Sequence, residues 1–245
     1  MSQLSSVSRD ILIHASVDHV WEALTVEAEL KKWYAIDCQV DFRIGGRITM
    51  QHGWGAYTDG VFTEIKPKER FVIRHGASET FTVTTLTKET EGIRVKITYQ
   101  MSFIGDEGYA MSENMGYGTY LFMTNLKSVC ETGKDLRASF WKTTLGMTTT
   151  TLRPDHYEKI GVRQGVLVVN IKPTSPAERA GLMVQDIIIL ANQKPVCSYA
   201  DLQSASEQTG VNHPLTLKVI RKRQEREIIC YPDPYPVSYY EETEN

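Results

Sequence analysis

The chain lacks most of the features that advertise a function. Its four cysteines, Cys38, Cys130, Cys197 and Cys230, are scattered, with no CxxC pair and no metal-ligand spacing to histidine. That pattern argues against a zinc module or a disulfide scaffold and reads as reduced thiols, mostly buried, in a cytoplasmic protein. No apolar run approaches the ~18 residues of a membrane span. The first residues, MSQLSSVSRDILIHASVDHV, place Arg9, Asp10, His14 and Asp18 where a signal peptide would need an apolar core. Positive charge is also short. Residues 1–140 carry 15 basic and 18 acidic side chains, residues 141–245 carry 12 of each, and the net charge is -3. Neither half is drawn to nucleic acid by charge, and the RKRQER run at Arg221–Arg226 reads as a solvated hairpin tip. There is no GxSxG or chymotrypsin-like serine motif, which disfavours a protease. What remains is 245 residues, 41% hydrophobic and 23% charged, enough for one large domain or two modest ones.

The most informative stretch is Gly165 to Val196, GVLVVNIKPTSPAERAGLMVQDIIILANQKPV. Val166 to Val169 and Ile171 form an apolar run of strand length that stops at Pro173. Ser175 offers a helix N-cap and Pro176 suits the first helical position, where a missing N–H costs nothing. Gly181 suits the left-handed residue that ends a one-turn helix. Asp186 opens a second apolar run, Ile187 to Leu190, and Asn192-Gln193 turns the chain toward Pro195. Strand, SPAERAGL turn, aspartate and strand together closely resemble a PDZ domain of the HtrA type.

Ahead of it stands Thr144-Leu145-Gly146-Met147, which fits the X-Φ-Gly-Φ loop that precedes the groove strand of PDZ domains. Glycine lets such a loop turn successive amides inward as a nest for a terminal carboxylate, with apolar side chains flanking a pocket for the last residue. Thr148 and Thr149, within the threonine run to Thr151, suit an open strand that a peptide extends by β-augmentation. Pro154 starts a short helix, Asp155 to Ile160. The resemblance makes the helix Tyr199 to Gln208, capped by Ser198, the other groove wall. Leu202 and Ala205 are expected in the core, and Tyr199, Gln203 and Ser206 facing the peptide. Ser206 stands where many PDZ helices place a larger apolar residue, and Tyr199 where some place a histidine. Leu215–Val219 and Glu227–Tyr231 read as a closing hairpin. The tail, PDPYPVSYYEETEN, reads as extended or disordered. Its end, Asn245, fits an apolar end pocket poorly, which speaks against self-capping.

The first part begins with a strand, Val7 to Ala15, and a helix capped by Ser16 with Val20, Trp21 and Leu24 on its apolar face. A second short helix, Glu27 to Trp33, follows. Strand-like segments run Val40–Met50, Gly60–Lys66, Arg70–Arg74, Glu79–Leu86 and Gly92–Met101. In the last, Ile93, Val95, Ile97, Tyr99 and Met101 alternate with polar residues. Gly45-Gly46 suggests a bulge. After a Gly/Asp/Glu loop at Gly105–Gly108, residues 115 to 131 form a long helical pattern ended by Gly133. The opening strand with SVDHVWEALT, the KKWY element, FRIGGRITM, GVFTEIKPKERFVI and MGYGTYLFMTNLKSVCETG resemble the START-like (SRPBCC) superfamily, in its branch of activators of heat-shock protein ATPase homologues.

The expected fold class is therefore α+β. An N-terminal START-like helix-grip domain, a curved antiparallel sheet around a long C-terminal helix, spans 5–138. A PDZ domain, a small β-barrel or sandwich with two or three short helices, spans 141–232, and an acidic tail spans 233–245. Asp135 to Trp141 is the boundary, with no Gly/Ser or Pro-rich linker.

Members of the superfamily often hold lipids or other apolar molecules between sheet and helix. Here Met115, Thr119, Phe122, Met123 and Leu126 on the helix, with Trp54, Tyr57, Phe81 and Tyr99 from the strands, are the residues for such a pocket, or else they simply fill the core. No catalytic constellation emerges. His14, His19, His52 and His75 are dispersed, and Asp37, Asp41 and Asp59 read as loop and strand-end residues, leaving no nucleophile-base-orienter set. No metal or other cofactor is expected. The leading expectation is a non-enzymatic adaptor that captures a protein C-terminus or extended peptide, with a second surface or apolar pocket. It has no nucleic-acid partner and no transmembrane segment. Two competitors share the fold resemblance: a START-like enzyme, cyclase- or hydrolase-like, and a co-chaperone of a heat-shock ATPase.

Overall fold

The computed structural model describes residues 5–53, 57–76, 80–156 and 161–236. They form two compact units, one comprising residues up to 103 and 115–140, the other 104–114 and 141–235.

The first unit opens with strand β1 (Ser5–Ile13), then α1 (Val17–Thr25) and α2 (Glu27–Trp33). Ser16 caps α1, its side chain accepting from the His19 N–H, and Val20, Ala23 and Leu24 turn inward at helical spacing. Six strands follow: β2 (Asp37–Val40), β3 (Arg47–Gln51), β4 (Tyr57–Lys66), β5 (Arg70–His75), β6 (Thr80–Glu89) and β7 (Gly92–Met101). All pair antiparallel in the order β1-β7-β6-β5-β4-β3-β2. The expected strand Val40–Met50 is two strands, because residues 41–46 turn the chain back. Gly45 has φ +81°, and a Cβ on Gly46 would lie 2.0 Å from the Asp41 carbonyl oxygen.

Helix α3 runs Gly105–Thr132, beginning ten residues before the apolar pattern that announced it. The expected loop at Gly105–Gly108 is its first turn, where Asp106 and Glu107 complement the helix dipole. Its residues 115–132 belong to the first unit, and Phe122, Met123 and Leu126 are buried there with Trp33, Phe62 and Val95. The segment after α3 is a clasp. Asn125, fully buried, donates to the Trp33 carbonyl at 2.7 Å and accepts from the Leu136 N–H at 2.7 Å. Arg137 donates to Asp135 at 2.8 Å and to the carbonyls of Ala35 and Lys31 at 3.0 and 2.9 Å.

In the second unit, β8 (Thr143–Thr144) leads into β9 (Met147–Thr151), then β10 (Val166–Ile171), a one-turn helix α4 (Pro176–Arg179), β11 (Ile187–Ala191) and β12 (Lys194–Pro195). Helix α5 (Tyr199–Thr209) and the hairpin β13 (Leu215–Arg221) and β14 (Gln224–Cys230) follow, then β15 (Asp233–Pro234). The main sheet runs β14-β13-β11-β10-β9, with β12 on β11, and β15 pairs with β8. The tail thus starts as a paired strand, and residues 237–245 lie outside the described residues. Of the expected helix after Pro154, residues 154–156 are helical and 157–160 lie outside the described residues. Ser175 caps α4 and Ser198 caps α5 through side-chain acceptors. Leu145, Val166, Val168, Ile188, Leu202, Leu215, Leu217 and Val219 form one continuous core. The hairpin turns at Lys222-Arg223 with φ of 51° and 66°. Arg221 departs from a solvated tip: it donates to Asp186, itself fully buried, at 2.7 and 2.6 Å.

Candidate functional site

Two features invite a ligand, one in each unit. In the second, β9 ends the sheet, so among the described residues one of its edges has no strand beside it. Its amides alternate in direction. Leu152 donates to the Gly165 carbonyl at 3.0 Å, toward β10, so the N–H groups of Met147, Thr149 and Thr151 point to the open side. Thr151 donates there to the Glu113 carboxylate at 2.9 Å, a group from the 104–114 segment. The approach to β9 is set by Gly146, at φ +67°. A Cβ there would meet the Ser175 Cβ at 2.3 Å. Its carbonyl accepts from the Lys172 N–H at 2.8 Å, and the Leu145 carbonyl accepts from the Ala177 N–H at 3.0 Å. Both carbonyls are therefore tied to the body of the domain. The Gly146 N–H faces the Thr144 hydroxyl at 3.1 Å.

The residues expected at the groove divide. Leu145 is buried in the core and Met147 packs on its margin. Thr148 is exposed, whereas the Thr149 side chain is buried and only its backbone meets the edge. Tyr199 and Gln203 are half-buried on α5. The Tyr199 hydroxyl accepts from Asn114 at 3.3 Å, and the Gln203 amide donates to Glu207 at 2.9 Å. Ser206 is not on a peptide-facing surface. It is 1% exposed, shares the buried face of α5 with Leu202, and bonds the Thr143 hydroxyl at 2.8 Å. A serine can take that inward place because a second hydroxyl meets it there. Sequence reasoning missed Glu207, whose carboxylate accepts from the N–H groups of Lys142 and Thr143 at 3.0 and 3.2 Å and fixes the strand entering the loop.

In the first unit a cavity of about 430 Å³ opens between the sheet and the helices. That size lies within the ~300–1,000 Å³ of small-molecule sites. Cross-strand rows build its wall, Phe71 beside Thr84 and Ile97, and Ile73 beside Thr82 and Tyr99. Leu24, Leu30, Trp33, Ile48, Met50 and Met115 complete an apolar interior, with Tyr57, Thr58, Asp59, His75 and Thr80 at the polar side.

Of the residues expected here, Tyr57, Tyr99 and Met115 line the cavity. The Thr119 hydroxyl lies 3.4 Å from that of Tyr99, just behind the lining. Phe122, Met123 and Leu126 are buried core instead, Phe122 packing edge-on to Tyr34 at 5.0 Å. Phe81 falls on the other face of β6, since Thr80, Thr82 and Thr84 take the inner one. Trp54 lies outside the described residues. Two histidines escaped notice as cavity elements. His75 bonds Thr82 at 2.7 Å and the Asp59 carbonyl at 3.2 Å. Burial lowers its pKa, against a smaller upward pull from the Asp59 carbonyl and carboxylate. His52 bonds Thr58 at 2.8 Å, and burial lowers its pKa to about 4.

Asp59 is held by Arg47 at 2.6 and 2.8 Å, which lowers its pKa. Among the described residues no group of three or more His, Cys, Asp and Glu is arranged to hold a metal, and no helix is long and apolar enough to cross a membrane.

Comparison with known proteins finds two matching regions. Residues 14–131 match the family model described as Activator of Hsp90 ATPase homolog 1-like protein, and residues 143–229 match the PDZ domain model. Over 57 residues the chain is 40% identical to the putative serine protease HhoA of Synechocystis sp., covering 23% of this chain and 14% of that protein. Over 72 residues it is 33% identical to the putative serine protease HhoB of the same organism, covering 29% and 17%. The matches thus span about a sixth or less of the length of these curated relatives. Among solved structures, the Aha1 dimer from Colwellia psychrerythraea is similar at 23% identity and a TM-score of 0.47, over 53% of this chain and 98% of that one. The HtrA3 PDZ domain bound to a phage-derived ligand (FGRWV) is similar at 29% identity and a TM-score of 0.35, over 38% and 86%. The chain carries an AHSA1-type START-like region followed by a PDZ domain akin to those of HtrA-type proteases.

Proposed function

We propose that this union of a START-like region with a PDZ domain is a non-enzymatic adaptor of the cytoplasm. The PDZ domain takes up an extended peptide or protein C-terminus as an added strand along β9, and the START-like cavity holds an apolar small molecule. One observation carries the reading: β9 ends its sheet, with the N–H groups of Met147 and Thr149 directed outward beside the Gly146 turn. Ladder bonds there supply affinity regardless of ligand sequence, while Leu145, Met147 and α5 shape the space for the terminal side chain. One groove of this kind binds at micromolar strength, roughly -8 kcal/mol. The cytoplasmic placement is supported by four unpaired cysteines, two of them buried.

A random library displayed with free C-termini, selected against the full chain, tests the groove. The best sequence is then titrated as the acid and as the C-terminal amide. We expect micromolar binding of the acid and at least about tenfold weaker binding of the amide, the loss of one charge-assisted anchor. Absence of any selected sequence, or equal binding of the two forms, would overturn C-terminal capture.

A further inference from the structure

The chemistry of the cavity wall, given the reading that the cavity holds a ligand, narrows what that ligand is. Two histidines, His75 in the lining and His52 outside it, meet the wall in the same arrangement. Each has one ring nitrogen at a backbone carbonyl, which can only accept, so that nitrogen carries the proton. For His75 the carbonyl is Asp59, at 3.2 Å, and for His52 it is Tyr34, at 3.5 Å. Burial keeps both rings neutral, so each remaining nitrogen is an acceptor. The neighbouring threonine must then donate its only proton to it: Thr82 to His75 at 2.7 Å, and Thr58 to His52 at 2.8 Å. Both threonines line the cavity. With their protons turned back into the wall, they offer a ligand lone pairs and no donor.

The charges point the same way. The described lining includes no lysine or arginine, and its one carboxylate, Asp59, is engaged by Arg47 at 2.6 Å. A ligand anion would be desolvated among acceptors without a cation, and a ligand cation would find its counter-ion already paired. Of the phenols, which could donate, Tyr34 and Tyr99 share one hydrogen bond, and the Tyr99 hydroxyl also lies 3.4 Å from that of Thr119, whose proton goes to the Met115 carbonyl at 2.7 Å.

We infer that the cavity takes an uncharged apolar molecule bearing a hydrogen-bond donor, an alcohol or phenol, whose O–H is accepted by Thr82.

Three probes of one shape test this on the full chain by calorimetry: 2-naphthol, 2-methoxynaphthalene and 2-naphthoate. Methyl NMR of Met50, Met101 and Met115, which line the cavity, reports where they bind. The naphthol should bind about tenfold more tightly than the ether and shift those three methyls, and the naphthoate should not bind. Thr82→Val should erase most of the naphthol's advantage while leaving the ether unchanged, and Thr82→Ser should keep it. Ether or naphthoate binding as tightly as naphthol would overturn the ligand class but leave the cavity as a binding site. Failure of all three to shift those methyls would overturn the cavity reading itself.

Discussion

The two units offer themselves to ligands in opposite ways. The first leaves a cavity between its seven-stranded sheet and its helices. The second fills its interior with a continuous aliphatic core and leaves a sheet edge open. On the proposed readings, recognition in the first unit rests on side chains, so ligand chemistry is read from hydroxyls and charges. In the second it would rest on the backbone, so the geometry of one glycine would matter more than the side chains of the strand. The proposed function of the first is therefore expected to be sensitive to polarity, and that of the second to shape.

The sharpest break should come from Asp186→Ala. It would strand Arg221, whose side chain is 16% exposed and pairs with that carboxylate, and would also release the Met183 N–H, which donates to it at 2.9 Å. Breaking a buried pair from one side costs about 3–5 kcal/mol. Hydrogen exchange should show protection lost in β10, β11 and β13 and retained in β5–β7. Loss in both units alike would deny the separation.

Acid should strike the other unit. His52 has a folded pKa of about 4 against an ordinary 6.5, because burial disfavours its charged form. Between those values the unfolded chain binds the proton and the folded one does not. Stability is thus complete above pH 6.5 and falls by ~3 kcal/mol on the way to pH 4. His75, shifted in the same direction, adds to the loss. Urea titrations from pH 7 to 4, followed at β5–β7 amides, check this, and His52→Gln should flatten the profile.

Gly146→Val combines a strained positive φ with a Cβ 2.3 Å from that of Ser175. It should weaken peptide binding at least about thirtyfold, some 2 kcal/mol, and leave naphthol binding unchanged. Calorimetry with both ligands reads the contrast directly. The smallest effect belongs to Glu113→Ala. Freeing the Thr151 N–H should improve a peptide long enough to reach it by about threefold and leave a tripeptide unaffected.

Much of the second domain was legible in local signals. Ser175, Pro176 and Gly181 each act within a few residues, and so do Ser198 and the turn at Asn192-Gln193. Local steric and capping rules therefore place those elements. Alternation in Gly92–Met101 likewise announced a strand with one face inward. Less local facts were out of reach. The run TFTVTTLT alternates too weakly to say which parity faces the cavity, and pairing with Ile73 and Tyr99 turned Thr82 inward and Phe81 outward. Ser206 looked like a groove residue until Thr143, sixty-three positions away, met its hydroxyl.

The sequence by itself determined the strands, caps and tight turns, the charge balance, and the order of the two domains. It could do so because each depends on neighbours along the chain. Only the tertiary structure decided that β9 lies at an edge, that Asp186 and Arg221 meet inside the fold, and that His52 and His75 come within hydrogen-bond reach of Thr58 and Thr82. Those facts depend on groups distant in sequence being held within hydrogen-bond reach, and no local pattern encodes that.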